Sequence, residues 1–249
     1  MKQLGLGLIG IGRQWGHVPG EVPSEAEALR FLESAFAQGI RYFDTAPSYA
    51  YSEERIGKFL RTLTPSERAS LTVATKFGEE WDFEARQPCV DHSYDGLMRS
   101  LARSLDRLGS IDVLQLHKTT PEALLSDDVL RAFESAGVAE SGPSASDAES
   151  AAVACTQRWR MMQIPLNRST SRLLGFVEPA GAAGMWLAVN RPFAMGRDVV
   201  ESGERTPHQA RVDSFRYLLD LPFRGVILSG TKSAQHLAEN IVAFQEAQQ

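Results

Sequence analysis

Short apolar runs alternate with longer amphipathic stretches from one end of the chain to the other, the pattern of repeated strand–helix units. Residues 6–11 read as a first strand, followed by a glycine- and proline-rich loop over 12–23. Ser24 with Glu27 three residues on has capping-box spacing and predicts a helix over 24–38, stopped by Gly39. A second strand, 40–44, leads to a helix over 52–63. A third, 71–76, is followed by a long loop holding Trp81, Phe83 and Pro88. The helix predicted over 91–108 has Leu97, Leu101, Leu105 and Leu108 on one face. A fourth strand, 111–117, precedes a helix near 126–135, and a fifth, 138–142, is weakly apolar and contains Glu140. A helix over 147–158 then leads to a sixth strand, 161–166. Residues 169–178 are poorly patterned. A seventh strand, 185–189, a helix over 207–219, an eighth strand, 225–229, and a helix over 233–246 complete the chain. Eight such units in 249 residues predict an α/β protein, a single-domain (β/α)8 TIM barrel spanning 1–249, since about 250 residues is usual for that fold.

One apparent motif does not fit. Gly5-Leu6-Gly7-Leu8-Ile9-Gly10 matches G-x-G-x-x-G, but a dinucleotide fingerprint needs a strand before its first glycine and a helix opening after it. Only four residues precede Gly5, and IGRQWGHVPGEVP does not read as a helix. A glycine-rich first strand and loop is the better reading.

Composition narrows the function little. The net charge of −5 argues against nucleic acid and against acidic membrane surfaces as partners. No uncharged apolar run approaches the roughly 18 residues of a spanning helix. The apolar start lacks the cleavage signature of a secretory signal. Cys89 and Cys155 are the only cysteines, and neither sits in a metal- or disulfide-like cluster. These features point to a cytoplasmic protein. No His/Asp/Glu/Cys group has ligand spacing, so no metal is expected.

Candidate chemistry gathers at strand ends. The second strand ends in Asp44, and its loop presents Tyr49; Lys76 ends the third strand and His117 the fourth. In a barrel of this kind the carboxyl ends of the strands carry the active site. An oxygen that gains negative charge in a reaction must be stabilised and then protonated. A phenol is a poor acid–base group near neutrality unless a cation lowers its pKa from about 10. Lys76 supplies such a cation, and Asp44 neutralises the lysine. Tyr49 is then the proton donor, and His117 orients the substrate oxygen.

DTAPSYAYSEERIGKFL, VATKFG, LQLHK, QIPLN and SGTKSAQHLAEN, in that order, make the chain resemble the aldo-keto reductases over almost its whole length. The resemblance implies a catalytic tetrad of Asp44, Tyr49, Lys76 and His117 and a bound NADP(H), reducing an aldehyde or ketone to an alcohol. It assigns Gln163 and Ser144 to the nicotinamide carboxamide, and Gly12 to the nicotinamide ribose. Gly230, Lys232 and Ser233 fall at the phosphates, where a helix start favours anions, and Lys232 tilts the choice towards NADP over NAD. His236 stands where many relatives have an arginine near the adenine, while Glu239 and Asn240 match adenine positions. Two departures stand out. Ala145 follows Ser144 where the family has asparagine, and Asn190 or Arg191 replaces an aromatic that stacks on the nicotinamide. Arg13, Trp15, His17, Trp81, Phe83, Phe193 and Met195 fall in loops at the mouth and are candidates to line a pocket for an apolar or aryl carbonyl. Two other readings remain open: a non-catalytic NADP(H)-binding regulatory subunit of the same fold, and a lyase forming a Schiff base on Lys76.

Overall fold

The structure, a computed structural model, describes residues 2–17 and 20–249. Eight parallel strands form the barrel: Lys2–Gly7, Tyr42–Asp44, Thr72–Phe77, Val113–Leu116, Glu140–Pro143, Met161–Pro165, Trp186–Asn190 and Gly225–Gly230. Counted along the chain, they lie in the order fifth, fourth, third, second, first, eighth, seventh, sixth. The fifth and sixth close the circle without a continuous ladder. Arg160 N–H donates to Ser141 O at 3.1 Å and Ala145 N–H to Gln163 O at 2.9 Å, beside a single Ser144–Gln163 bridge. Gly142 permits this approach, because a Cβ there would stand 1.9 Å from Met161 O.

Side chains alternate across each strand, so every second residue points into the barrel. The inward set at the lower level is apolar: Tyr42, Ala74, Val113, Met161, Ala188 and Val226 pack together. Two residues further along, five of these strands bring Asp44, Lys76, Gln115, Gln163 and Asn190 to the upper level, and the eighth brings Leu228. The outward set, including Phe43, Val73, Leu114, Ile164, Leu187 and Ile227, is buried beneath the helices. The interior is thus apolar at its amino end and polar at its carboxyl end.

The helices follow their capping signals closely. Ser24 and Glu27 form the predicted capping box on Glu25–Ala37, with Gly39 at φ +94° beyond it. Ser233 caps Ala234–Ala247. Ser93, not the earlier Asp91, caps Tyr94–Leu108; Leu97, Leu101 and Leu108 are buried, but Leu105 is 41% exposed. Behind the barrel, the fully buried Glu53 of helix Ser52–Leu60 accepts hydrogen bonds from Thr75 at 2.6 Å, Ser104 at 2.8 Å and Arg107 at 2.8 Å.

Other elements differ from the sequence reading. The first strand begins earlier, and Leu8 and Ile11 pack into the core from a short helical turn, Ile9–Gly12. Gly5 and Gly7 therefore lie within a strand, and the turn after them is one helical turn only. Val18 and Pro19 of the first loop lie outside the described residues. The long loop after the third strand contains an antiparallel hairpin, Glu79–Asp82 with Gln87–Val90. Residues 169–178 hold a short turn, Leu174–Phe176, leading to the helix Val177–Ala182. Thr64, in a capping box with Glu67, starts a further short helix, Pro65–Ala69. No helix among the described residues is long and apolar enough to cross a membrane.

Candidate active site

Asp44 is the hub of the polar upper level. Its Oδ1 accepts from Lys76 Nζ at 2.6 Å, and its Oδ2 from Gln115 Nε2 and Gln163 Nε2, each at 2.9 Å. Lys76 also donates to Thr45 O at 2.9 Å and is completely buried. A charge pair so far from water persists only when both partners are hydrogen-bonded, as here. Burial alone would lower the Lys76 pKa, but the Asp44 carboxylate and Tyr49 outweigh it and hold the ammonium above its ordinary value.

Tyr49 ends a tight turn, Pro47–Tyr49, and Ala50 after it adopts the left-handed region at φ +52°, a strained conformation for alanine. The Lys76 ammonium lies 4.9 Å from the Tyr49 ring centroid. The His117 ring meets Tyr49 edge-on, with centroids 5.9 Å apart and an interplanar angle of 82°. The tetrad read from the sequence is therefore assembled in one place. One expectation is corrected: desolvation dominates over Lys76, so the phenol pKa is raised rather than lowered. Tyr49 is a neutral phenol at working pH, the form that donates a proton.

Glu79 was not visible as a site residue in the sequence. It opens the hairpin, is 2% exposed, and its Oε2 lies 2.9 Å from His117 Nδ1. Ser48 Oγ is 3.1 Å from the same nitrogen, and Lys118 Nζ is 3.6 Å from Glu79 Oε1. Although burial acts to raise the Glu79 pKa, the bond and charge of His117, with Ser48 and Lys118, hold it down to about 2. The His117 pKa is lowered by burial, with Lys76 adding to the effect and Glu79 opposing it.

The proposed cofactor residues divide into groups. Gln163 Oε1 accepts from Ser144 Oγ at 3.2 Å and from Asn190 Nδ2 at 3.0 Å, so three amide or hydroxyl groups form one cluster at the barrel mouth. The Oδ1 of Asn190 is buried with no hydrogen-bond partner among the described residues. Gly12 is buried against the Tyr49 turn: a Cβ would stand 1.8 Å from Tyr49 O and 2.6 Å from Ser52 N. Its evident task is this close approach. Gly12→Ala should therefore cost about 1–3 kcal/mol of stability through overpacking and lower turnover by displacing Tyr49; urea unfolding and steady-state rates of the variant check both.

Gly230 ends the eighth strand, exposed. Lys232 Nζ bonds Glu21 O of the first loop, and Ser233 Oγ accepts from His236 N–H at 3.3 Å. Glu239 and Asn240 are instead tied to Arg211 of helix Pro207–Asp220, at 2.7 and 3.1 Å. Their polar groups join two helices, and nothing in that pairing singles them out for adenine. At the mouth, the Arg13 guanidinium lies 5.6 Å from the Trp15 ring and 5.0 Å from the Trp81 ring. Phe83 packs on Tyr51, and His17 Nε2 lies 3.0 Å from Glu201. Met195 is exposed, whereas Phe193 is buried against Phe215, a core residue rather than a pocket wall. Among the described residues no cluster of His, Cys, Asp or Glu could hold a metal ion.

The fold and tetrad define a class, and comparison with known proteins gives it a name. The model of the aldo/keto reductase family matches residues 3–161, and the chain belongs to that family. Pyridoxal 4-dehydrogenase of Microbacterium luteolum is 34% identical over 137 residues, 46% of this chain and 39% of that enzyme. D-threo-aldose 1-dehydrogenase of a Pseudomonas species is 34% identical over 125 residues, 38% of this chain and 34% of that one. The matched segments thus span well under half the length of these curated relatives. A solved structure from Pseudomonas aeruginosa, assigned to the aldo-keto reductases, superposes with a TM-score of 0.80 at 26% identity, covering 99% of this chain and 90% of its own.

Proposed function

We propose that the protein is an NADP(H)-dependent reductase that converts a small aldehyde or ketone to an alcohol. The observation that carries this reading is the buried Asp44–Lys76 pair beneath Tyr49, with His117 alongside. The residues present fit a nicotinamide cofactor. An unpartnered buried Asn190 Oδ1, next to Gln163 and Ser144, suits the N–H groups of a carboxamide. Lys232 and the capped start of Ala234–Ala247 suit phosphate, the lysine favouring the 2′-phosphate of NADP. Such a cofactor, when bound, supplies or accepts hydride. Tyr49 gives its proton to the substrate oxygen as charge develops there. Lys76 stabilises the phenolate left behind, and Asp44 keeps the ammonium in place. Trp15 and Trp81 offer aromatic surface at the mouth for an apolar or aryl carbonyl. The unpaired thiols, Cys89 exposed and Cys155 half-buried, agree with a reducing, cytoplasmic setting.

The alternatives fare less well. A Schiff base on Lys76 requires a free, reachable amine, and this lysine is fully buried and held as ammonium. A purely regulatory role leaves the assembled tetrad without a task.

Fluorescence titration with NADPH and NADH, followed by a carbonyl panel monitored at the nicotinamide absorbance, tests the proposal. NADPH should bind more tightly and be oxidised with an aryl aldehyde. Binding without turnover on any carbonyl would move the regulatory reading ahead, and failure to bind either nucleotide would overturn both. Lys232→Ala should weaken NADPH by roughly tenfold or more, the size of one hydrogen bond to a charged group, with little change for NADH. Equal losses for the two nucleotides would remove the 2′-phosphate role.

A further inference from the structure

We propose that Arg13 is a substrate-selecting residue: the carbonyl compound reduced here also bears a carboxylate, which the Arg13 guanidinium holds at the mouth of the site. The inference rests on the proposed reductase reading and narrows its substrate class. Arg13 follows the helical turn Ile9–Gly12, whose last residue packs against the backbone of Tyr49. Its guanidinium carbon lies 5.0 Å from the centre of the Trp81 ring and 5.6 Å from that of Trp15. The strand that carries Trp81, Glu79–Asp82, itself packs on the Pro47–Tyr49 turn. Arg13 and Trp81 thus approach the tyrosine from two separate elements. Burial raises the Tyr49 pKa, and the charges that oppose it are Lys76 first and Arg13 after it. The guanidinium therefore lies within electrostatic reach of the phenol.

The Arg13 charge is unspent. Among the described residues its side chain makes no hydrogen bond or ion pair, and its Nε is buried with no partner. The acids of the neighbouring strand are committed elsewhere: Glu79 to His117 and Lys118, Glu80 to Arg103, and Asp82 to the backbone of Glu84 and Ala85. Contact with aromatic rings costs a guanidinium none of its N–H donors, and their planar fork matches a carboxylate in a two-bond pair. Arg191 adds a second cation 5.6 Å from the Trp15 ring, again without an ion-pair partner among the described residues. In a chain whose net charge is −5, two unneutralised guanidinium groups set among indole rings are a local concentration, not general basicity. A neutral carbonyl compound leaves the buried Nε–H of Arg13 without an acceptor, whereas a carboxylate on an aryl or apolar frame satisfies both the donors and the rings. The phosphates of the cofactor are the other anions that could claim Arg13, and cofactor affinity in the variants separates the two.

The test compares 3- and 4-carboxybenzaldehyde with their methyl esters as substrates of the full chain with NADPH. It also compares benzoate with benzamide as ligands, by calorimetry with NADP present. At least one acid is expected to react with a higher kcat/KM than its ester, chiefly through KM. Arg13→Met should lower kcat/KM for that acid by roughly tenfold to a hundredfold, the worth of one hydrogen bond to a charged group. The ester should change little, and the Kd for NADPH should stay as it was. Arg13→Lys keeps the charge without the fork and should recover part of the preference; it serves should the methionine variant fail to fold. Esters reduced as well as both acids by the unaltered protein, or an equal loss for acid and ester in Arg13→Met, would overturn the proposal. So would a fall in NADPH affinity with the acid preference intact, which assigns Arg13 to a cofactor phosphate. Benzoate binding needs no turnover, so the anion site and the reductase reading can fail separately. Benzoate held by the unaltered protein and lost in Arg13→Met sustains the site even if no carbonyl is reduced. Benzoate bound alike by both proteins, or by neither, sinks it while leaving reduction of neutral carbonyls untouched.

Discussion

Tyr49→Phe is expected to reduce turnover by about 10²–10⁴-fold, the usual worth of a positioned general acid, while leaving NADPH affinity nearly unchanged. The phenyl ring keeps the shape that packs against His117 and lies over Lys76, so the change removes the proton and little else. A loss confined to the transition state lowers kcat and kcat/KM together. Cofactor titration alongside single-turnover rates separates the two effects. Turnover at the ordinary rate would remove Tyr49 from the reaction.

The second large effect concerns the foundation beneath that phenol. Lys76→Met leaves the Asp44 carboxylate buried without its cation, with only two glutamine amides to hold it. Breaking one side of a buried pair typically costs about 3–5 kcal/mol, and urea unfolding should show a deficit of that size. Adding Asp44→Asn to Lys76→Met removes the stranded charge, so the double variant should recover much of the stability yet remain inactive. That pairing separates a structural loss from a chemical one, because only the second persists. A single variant as stable as the parent protein would mean that the pair carries little of the fold.

Much of this site can be read along the chain because strand ends are local. Asp44, Lys76 and His117 each close an apolar run, and the turn at Pro47 places Tyr49 within five residues of the acid. Period-two alternation then brings these groups together, with no information needed from afar. Glu79 is different. Its importance comes from packing against a histidine 38 residues later, and in the sequence it is one acid of the polar run Glu79-Glu80-Trp81-Asp82. The same polarity hid the hairpin, whose short second strand, Gln87–Val90, is exposed throughout. The helix starts capped by Ser24 and Ser233 were legible, whereas those capped by Thr64 and Ser93 were missed or placed too early. The first strand was displaced because Leu8 and Ile11 are as apolar as strand residues, although they reach the core from a helical turn. Glu239 and Asn240 match a family pattern, and what the sequence does not show is that both also bond Arg211 on another helix.

The seam between the fifth and sixth strands has a mechanical consequence. Every other neighbouring pair in the barrel is laced by a ladder, whereas this one is fastened by scattered bonds around Ser144 and Gln163. Local opening favours the place where fewest backbone bonds must break. That place coincides with the side chains proposed to grip the nicotinamide amide. A cofactor gripped there as proposed would span both edges of the joint, and its binding would stabilise the closed ring by mass action.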